Sequence, residues 1–197
     1  MLSGRILVVA FEGWNDATEA ASGAVKAIAE QIQAMTIDAV DPEDYYDFQF
    51  SRPMLELDED GNRTLSWPGT ELMQASKEQI SKIPALDDLY LLIGTEPSRR
   101  WLSFAGEVLE MVQDREIDYV IMLGAMLADV PHTRPMQVFR SSQNPALREL
   151  FDLEPSRYEG PVGILTVLSQ AFEAEGIPVL SLWGSVPHYV HNTSNPK

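Results

Sequence analysis

Residues 6–16, ILVVAFEGWND, decide the fold of this chain. The apolar run of residues 6–11 stops abruptly at Glu12-Gly13-Trp14-Asn15-Asp16, and a segment rich in alanine follows at residues 17–34. This pattern is typical of a buried strand, a tight turn and a helix. Because function in open α/β sheets collects at the carboxyl ends of such strands, we expect any site to lie at this turn.

The rest of the chain repeats this alternation of strand and helix. Strands are predicted at residues 6–11, 36–40, 88–93, 117–123, 136–140 and 177–183, and helices at 17–35, 71–82, 98–115, 145–151 and 162–175. The alternation predicts an α/β fold with a mostly parallel sheet covered on both faces. Alternating residues at 54–57 and 64–67 flank Asp60-Gly61, which predicts a β-hairpin at an edge of the sheet.

Composition excludes several classes of protein. The 197 residues fit one domain, 1–197, and no run approaches the roughly 18 apolar residues of a membrane helix. The formal net charge of -16 would repel phosphate backbones, so nucleic acid is not expected as a partner. The chain has no cysteine, which excludes disulfides and thiolate chemistry, and no recognisable signal peptide, so we expect a cytoplasmic protein.

Polar side chains follow four of the predicted strands, and in a parallel sheet these four turns meet at one edge. They are Glu12, Asn15 and Asp16 after the first strand, Glu96, Arg99 and Arg100 after residues 88–93, Asp129, His132 and Arg134 after residues 117–123, and His188 and His191 after the last. Their convergence predicts a candidate ligand-binding site. The alternative is that turns of α/β proteins are polar whether or not they bind a ligand.

Structural roles compete with chemistry at several of these positions. Asp16 is placed to cap the helix that follows, and Glu96 is placed to pair with Arg99 or Arg100. His188 and His191, with Asp129 or His132, could supply metal ligands, although their place in a turn favours backbone hydrogen bonding. Trp14 either anchors a neighbouring molecule or fills the protein's own interior, and we favour the interior.

Motifs for common cofactors and nucleophiles are missing from the sequence. There is no phosphate-binding G-x-x-x-x-G-K-[ST] loop, and the first turn has one glycine where a dinucleotide fingerprint needs three. No G-x-S-x-G elbow is present. We therefore assign no catalytic residue, no cofactor and no metal.

Residues 38–60 combine acidic side chains with aromatic ones. Acid-rich stretches without aromatics are usually solvated loops, but here Tyr45, Tyr46, Phe48 and Phe50 lie among the acids. This combination favours a surface that packs on something.

Seven phrases in this order resemble the bacterial branch of the proteasome assembly chaperone 2 family, most closely its actinobacterial members. They are FEGWNDA (11–17), YDFQFSRP (46–53), WPG (67–69), GTEPSRRW (94–101), GAMLADVPHTRP (124–135), PSRYEGPVGI (155–164) and VPHYV (186–190). The resemblance implies a three-layer α/β/α sandwich similar to phosphorylases and hydrolases. It implies homo-oligomers, trimers among them, and protein partners, with no established activity for bacterial members. It also implies a further helical C-terminal region, which we expect this chain to lack.

Two hypotheses about function follow. The first is a non-catalytic, oligomeric protein-binding module resembling proteasome assembly chaperones. The second is an enzyme or small-ligand binder, similar to hydrolases or phosphorylases, that uses the strand-end turns.

Overall fold

Strand β1, Gly4–Glu12, is the centre of the fold in the computed structural model, which describes residues 2–58 and 60–190. Its residues 6–11 are buried. The odd-numbered side chains of this run pack into one hydrophobic cluster and the even-numbered ones into another, on opposite faces of the sheet. The continuous apolar run is what a strand covered on both faces requires.

Nine strands and six α-helices follow one another along the described residues. The strands are β1 (Gly4–Glu12), β2 (Met35–Val40), β3 (Met54–Leu57), β4 (Arg63–Ser66), β5 (Thr70–Gln74), β6 (Leu86–Thr95), β7 (Tyr119–Ala128), β8 (Val138–Ser141) and β9 (Val179–Pro187). The helices are α1 (Ala20–Gln31), α2 (Pro42–Tyr45), α3 (Lys77–Ile80), α4 (Trp101–Asp114), α5 (Pro145–Phe151) and α6 (Ile164–Ala174).

The central sheet has seven strands in the order β2-β5-β6-β1-β7-β9-β8. Strands β6, β1, β7 and β9 run parallel, whereas β5 and β8 are antiparallel to their neighbours. Helices α4 and α6 pack on one face and α1 and α3 on the other. The predicted three-layer α/β fold with a mostly parallel sheet is confirmed.

The helix predicted at residues 71–82 is wrong. Residues 70–74 form strand β5, which pairs with β2 on one side and β6 on the other, and only the single turn α3 is helical. Pairing on both sides satisfies the backbone of this segment and buries Thr70 and Leu72, the alternate residues of a strand. Tertiary pairing thus overrides the weak helical spacing.

Strands β7 and β9 run further than predicted because their glycines do not end them. Gly124 lies beneath the Trp183 ring, and a Cβ at this position would come 2.7 Å from the ring. The glycine therefore serves packing within the sheet, and pairing of the two strands continues to Ala128 and Pro187. The first helix is also shorter than predicted, since α1 ends at Gln31 and Gln33 adopts a left-handed conformation (φ 51°).

The predicted hairpin is present as β3 and β4, but its predicted place at an edge of the central sheet is wrong, because the two strands pair only with each other in a separate antiparallel sheet. Across the described part of the chain, no helix has the length and apolar character needed to span a membrane.

Candidate functional site

Asn15 and Glu96 tie together the turns that follow β1 and β6. Asn15 is 1% exposed, and its Nδ2 donates to Glu96 Oε1 at 2.9 Å. The same oxygen accepts the backbone N–H of Ile164, the first residue of α6, at 2.8 Å. A carboxylate at this position caps the helix and complements its dipole. We call Asn15, Glu96 and the Gly163–Ile164 backbone the clamp.

Gly163 completes the clamp because it has no side chain. A Cβ on Gly163 would lie 2.7 Å from Asn15 Cγ and closer still to its amide atoms. The Asn15 amide therefore packs directly on the backbone at the start of α6. The clamp holds three segments that are far apart in sequence.

Asp16 continues the same turn as a cap, as predicted. Its two carboxylate oxygens accept the backbone N–H groups of Ala21 at 2.7 Å and Ser22 at 3.0 Å, in the first turn of α1. The preceding carbonyl, that of Asn15, accepts the N–H of Ala125 on β7 at 2.8 Å. This turn is thus fixed to both helical layers and to the neighbouring strand.

Glu12 lies on the other side of the turn and pairs with Lys26 of α1. The Lys26 Nζ lies 2.7 Å from Glu12 Oε1, and this hydrogen bond raises the pKa of Lys26 above its ordinary value. Both side chains are more than a third exposed, so the pair contributes little to stability.

The predicted pairing of Glu96 with Arg99 or Arg100 is wrong. Arg99 donates to the backbone carbonyl of Glu43 at 2.8 Å, and Arg100 forms an ion pair with the Asp44 carboxylate and lies 5.6 Å over the Tyr45 ring. Both arginines hold helix α2 against the start of α4. Glu96 turns the other way because the clamp offers it two buried donors.

The remaining predicted residues lie further out, beyond the ends of β7 and β9. Ala125 is level with Asp16, and β7 continues three residues past it, about 10 Å at the rise of a strand. His188 Nδ1 lies 3.8 Å from Asp129 Oδ1. His132 accepts or donates at Nδ1 to the Tyr189 hydroxyl at 2.9 Å, and the backbone of Arg134 bonds to Pro131.

The ten predicted residues therefore separate into three places rather than one. Glu12, Asn15, Asp16 and Glu96 surround the first turn, Arg99 and Arg100 hold α2, and Asp129, His132, Arg134 and His188 lie on the extended strand ends. His191, the second histidine of the possible metal pair, is outside the described residues. A ligand-binding role for these residues stays a prediction.

Trp14 does not fill the interior, and that prediction is wrong. Its side chain is 71% exposed, although both of its C-terminal neighbours are buried. The side chains of successive residues in a turn point in different directions, and the clamp holds the Asn15 side chain in the interior. The indole is consequently held outward, at the mouth of a cleft of about 1040 Å³.

The cleft lies between helix α6 and the β9–β8 edge of the sheet. Its lining includes Met122, Trp183 and Phe139 from the sheet, Ser169, Gln170 and Glu173 from α6, and Tyr158 and Val162 from the segment before α6. Glu173 Oε1 is buried with no hydrogen-bond partner among the described residues. Burial raises the pKa of this carboxyl, against the opposing effect of the Val179 and Gln143 backbone N–H groups.

Sequence reasoning missed the cleft and its acid. Trp183 is the last residue of the strand predicted at 177–183, and Glu173 is one of several polar residues in the helix predicted at 162–175. The signal available for Glu173 is its position on the same face of α6 as Thr166 and Ser169, at helical spacing.

The chain matches the PAC2 family over residues 10–197. It belongs to this family. A comparison with curated proteins gives no match.

Several solved structures resemble this chain over nearly its whole length. A PAC2 family protein from Streptomyces avermitilis is 42% identical with a TM-score of 0.86, and the alignment covers 98% of this chain and 80% of that one. The proteasome-assembly chaperone homologue of Mycobacterium tuberculosis is 41% identical with a TM-score of 0.84, covering 98% and 79%. The archaeal proteasome activator PbaB of Pyrococcus furiosus shares the fold at 15% identity, with a TM-score of 0.71 over 97% and 78%.

Four of the seven phrases that carry the PAC2 resemblance contribute residues at or directly beside the clamp. FEGWNDA contributes Asn15, GTEPSRRW contributes Glu96, GAMLADVPHTRP contributes Ala125, and PSRYEGPVGI contributes Gly163. These four phrases therefore encode one structural junction of this chain.

Proposed function

We propose that this chain is a non-catalytic protein-binding module that associates with itself and with a protein partner, in the manner of proteasome assembly chaperones. The relative from Mycobacterium, 41% identical, is named as such a homologue. The single observation that carries the proposal is the apolar face of the β3–β4 hairpin. The cytoplasmic location of the protein stays a prediction.

The hairpin is amphipathic, and its apolar face points to solvent. The pairing places Leu55 opposite Leu65 and Leu57 opposite Arg63, whereas Glu56 and Thr64 share the other face. Leu55, Leu57 and Leu65 are 51%, 72% and 57% exposed. A sheet normally turns such a face towards a core, so this one is suited to a partner.

A two-stranded hairpin alone in water is marginally stable, and this one is braced at both ends. At its base, the Trp67 ring packs edge-on against Phe48 with centroids 4.9 Å apart. At its tip, the Asp58 carboxylate accepts the backbone N–H groups of Asn62 at 2.7 Å and Asp60 at 3.1 Å. The bracing presents the leucines in a fixed arrangement, which lowers the entropic cost of binding.

The clamp supports a non-catalytic role. Asn15 and Glu96 bond to each other and to α6, and Asp16 caps α1, so each group is already engaged in holding the fold. A general acid or base needs to reach a substrate atom, and these contacts direct the groups elsewhere. Proteasome subunits are the partner class to which the names of the relatives point.

The experiment compares two sets of serine substitutions on opposite faces of the hairpin. Leu55→Ser with Leu57→Ser removes the apolar face, and Glu56→Ser is the matched control on the polar face. All three side chains are exposed, so the fold is expected to survive both changes. We expect the leucine variant to sediment as a smaller species than the wild type and the control to sediment like the wild type. Equal sedimentation of the leucine variant and the wild type would overturn the proposal.

A further inference from the structure

The floor of the cleft is apolar and belongs to the sheet. Trp183 on β9 covers Gly124, and its β8 partner in register is Phe139, which is half exposed. Helices α4 and α6 cover this face of the sheet nearer its centre, so the floor at β9 and β8 remains open. Apolar side chains of a ligand would gain free energy by covering this floor.

The wall of the cleft is polar and belongs to α6. Thr166, Ser169, Gln170 and Glu173 follow the spacing of one helical face, whereas Leu168 and Phe172 are buried in the core on another. A ligand here therefore meets hydrogen-bonding groups along one side and rings along its base. An extended peptide has matching chemistry, because backbone polar groups and alternate side chains project from it in different directions.

The length of the wall also fits a peptide. Helix α6 has 11 residues, which gives about 16 Å at the helical rise. An extended chain rises about 3.3 Å per residue, so about five residues span the wall. The cleft volume of about 1040 Å³ is at the upper end of ligand pockets, roughly 300–1,000 Å³.

The far end of the wall is acidic. Glu173 lines the cleft, and its Oε1 has no hydrogen-bond partner among the described residues. Glu154 also lines the cleft, and Arg140 is the basic residue among the described lining residues. A cationic donor on a ligand would form a charge-assisted hydrogen bond with a carboxylate at this end of the cleft.

We propose that this cleft binds an extended peptide segment of about five residues, with apolar side chains over Trp183 and Phe139 and a basic side chain at Glu173. The inference rests on the proposed protein-binding function and names the chemistry of one partner segment. Trp14, held outward by the clamp, stands at the mouth and covers the end of the peptide.

The test uses two arginine substitutions on the same helix. Ser169→Arg places a long side chain in the cleft, and Ala174→Arg adds the same charge at an exposed position outside the lining. The probe is a phage-displayed library of random short peptides selected on the whole chain. We expect enriched peptides to combine aromatic or branched apolar residues with lysine or arginine. Synthetic copies should bind Ser169→Arg about tenfold or more weakly than the wild type, and Ala174→Arg unchanged.

Glu173→Gln tests whether the peptide's basic side chain binds at this end of the cleft, because it removes the charge of residue 173 and keeps the shape of the side chain. We expect it to remove the preference for peptides with lysine or arginine over the same peptides with glutamine. Failure to enrich peptides, or equal binding by Ser169→Arg, would overturn the proposal, and an unchanged preference in Glu173→Gln would overturn the assignment of the basic side chain. If Ser169→Arg instead dissociates the protein's own oligomer, the cleft is an interface between copies and the peptide-binding proposal is overturned. Sedimentation of the hairpin variants is a separate measurement, so failure of either proposal is distinguishable.

Discussion

The side chains of Asn15 and Glu96 are hydrogen-bonded at 2.9 Å although 81 residues separate them in the chain. The bond joins the turns after two neighbouring parallel strands, and the same Glu96 oxygen holds the first N–H of α6. The Glu96 side chain thus connects the edge of the sheet where the parallel strands end to helix α6. Trp14 faces solvent as a consequence.

Loss of the Glu96 carboxylate is expected to destabilise the fold. Glu96→Ala leaves the Asn15 amide and the Ile164 N–H without their acceptor, at a cost of about 2 kcal/mol in the free energy of unfolding. Chemical denaturation measures this change. Glu110→Ala, at an exposed position of α4, is the control and should stay within about 0.5 kcal/mol of the wild type. A Glu96→Ala protein as stable as the control would contradict the clamp.

Gly163→Ala and Gly106→Ala are expected to have opposite effects. A Cβ at Gly163 collides with the Asn15 amide, whereas a Cβ at Gly106 on α4 meets no atom within 4 Å. The first change should cost about 1–3 kcal/mol, and the second should stabilise the helix by about 0.5–1 kcal/mol. Thermal or chemical unfolding of the two proteins decides this.

A double variant checks that the collision is with Asn15. Asn15→Ala removes the side chain that a Cβ on Gly163 would meet. The combined Asn15→Ala/Gly163→Ala loss should therefore be smaller than the sum of the two single losses. Strict additivity would place the strain of Gly163→Ala elsewhere.

Tyr46 is expected to make stability depend on alkaline pH. Burial raises its pKa to about 12, and its hydroxyl donates to the Thr95 carbonyl at 2.8 Å. A group with a raised folded pKa contributes stability that is complete below its unfolded pKa of about 10 and is lost as pH rises towards 12. Tyr46→Phe has no proton to lose at this position. Over that pH range, its free energy of unfolding should therefore fall by roughly 2–3 kcal/mol less than that of the wild type.

The measurement is a series of urea denaturation curves from about pH 9, roughly one unit below the reference pKa of tyrosine, to the onset of alkaline unfolding. At neutral pH, Tyr46→Phe should already be less stable by about 1 kcal/mol, since Thr95 loses its donor. Parallel pH curves for the variant and the wild type would contradict the assigned role of Tyr46.

Trp14→Ala is expected to leave the free energy of unfolding within about 0.5 kcal/mol of the wild type, because the indole is 71% exposed. A tryptophan that fills a core costs about 3–5 kcal/mol when truncated to alanine. Denaturation curves separate these two values clearly. A loss of about 3–5 kcal/mol in the free energy of unfolding would contradict the exposed position of Trp14.

Much of the fold was predictable because buried parallel strands have continuous apolar runs in the sequence. Residues 6–11 and 88–93 needed no tertiary information. The helix predicted at 71–82 failed because β5 is decided by two neighbouring strands, one of them far along the chain. Gly124 likewise suggested a stop because its purpose, space for Trp183, is visible only in the sheet.

The candidate site was less predictable. The cap by Asp16 is local and could be foreseen from spacing. The partner of Glu96 could not, since arginines three and four residues away compete with a distant amide that only folding brings near. The exposure of Trp14 follows from that distant contact and was missed for the same reason.

The mass of the unmodified chain in solution tests the central claim most directly. Sedimentation equilibrium over a wide range of protein concentrations gives this mass without substitutions. An associating module should show a species at a multiple of the 22.0 kDa chain mass, whose population grows with concentration. A single species of 22.0 kDa at every concentration would contradict self-association through the exposed leucines of the hairpin.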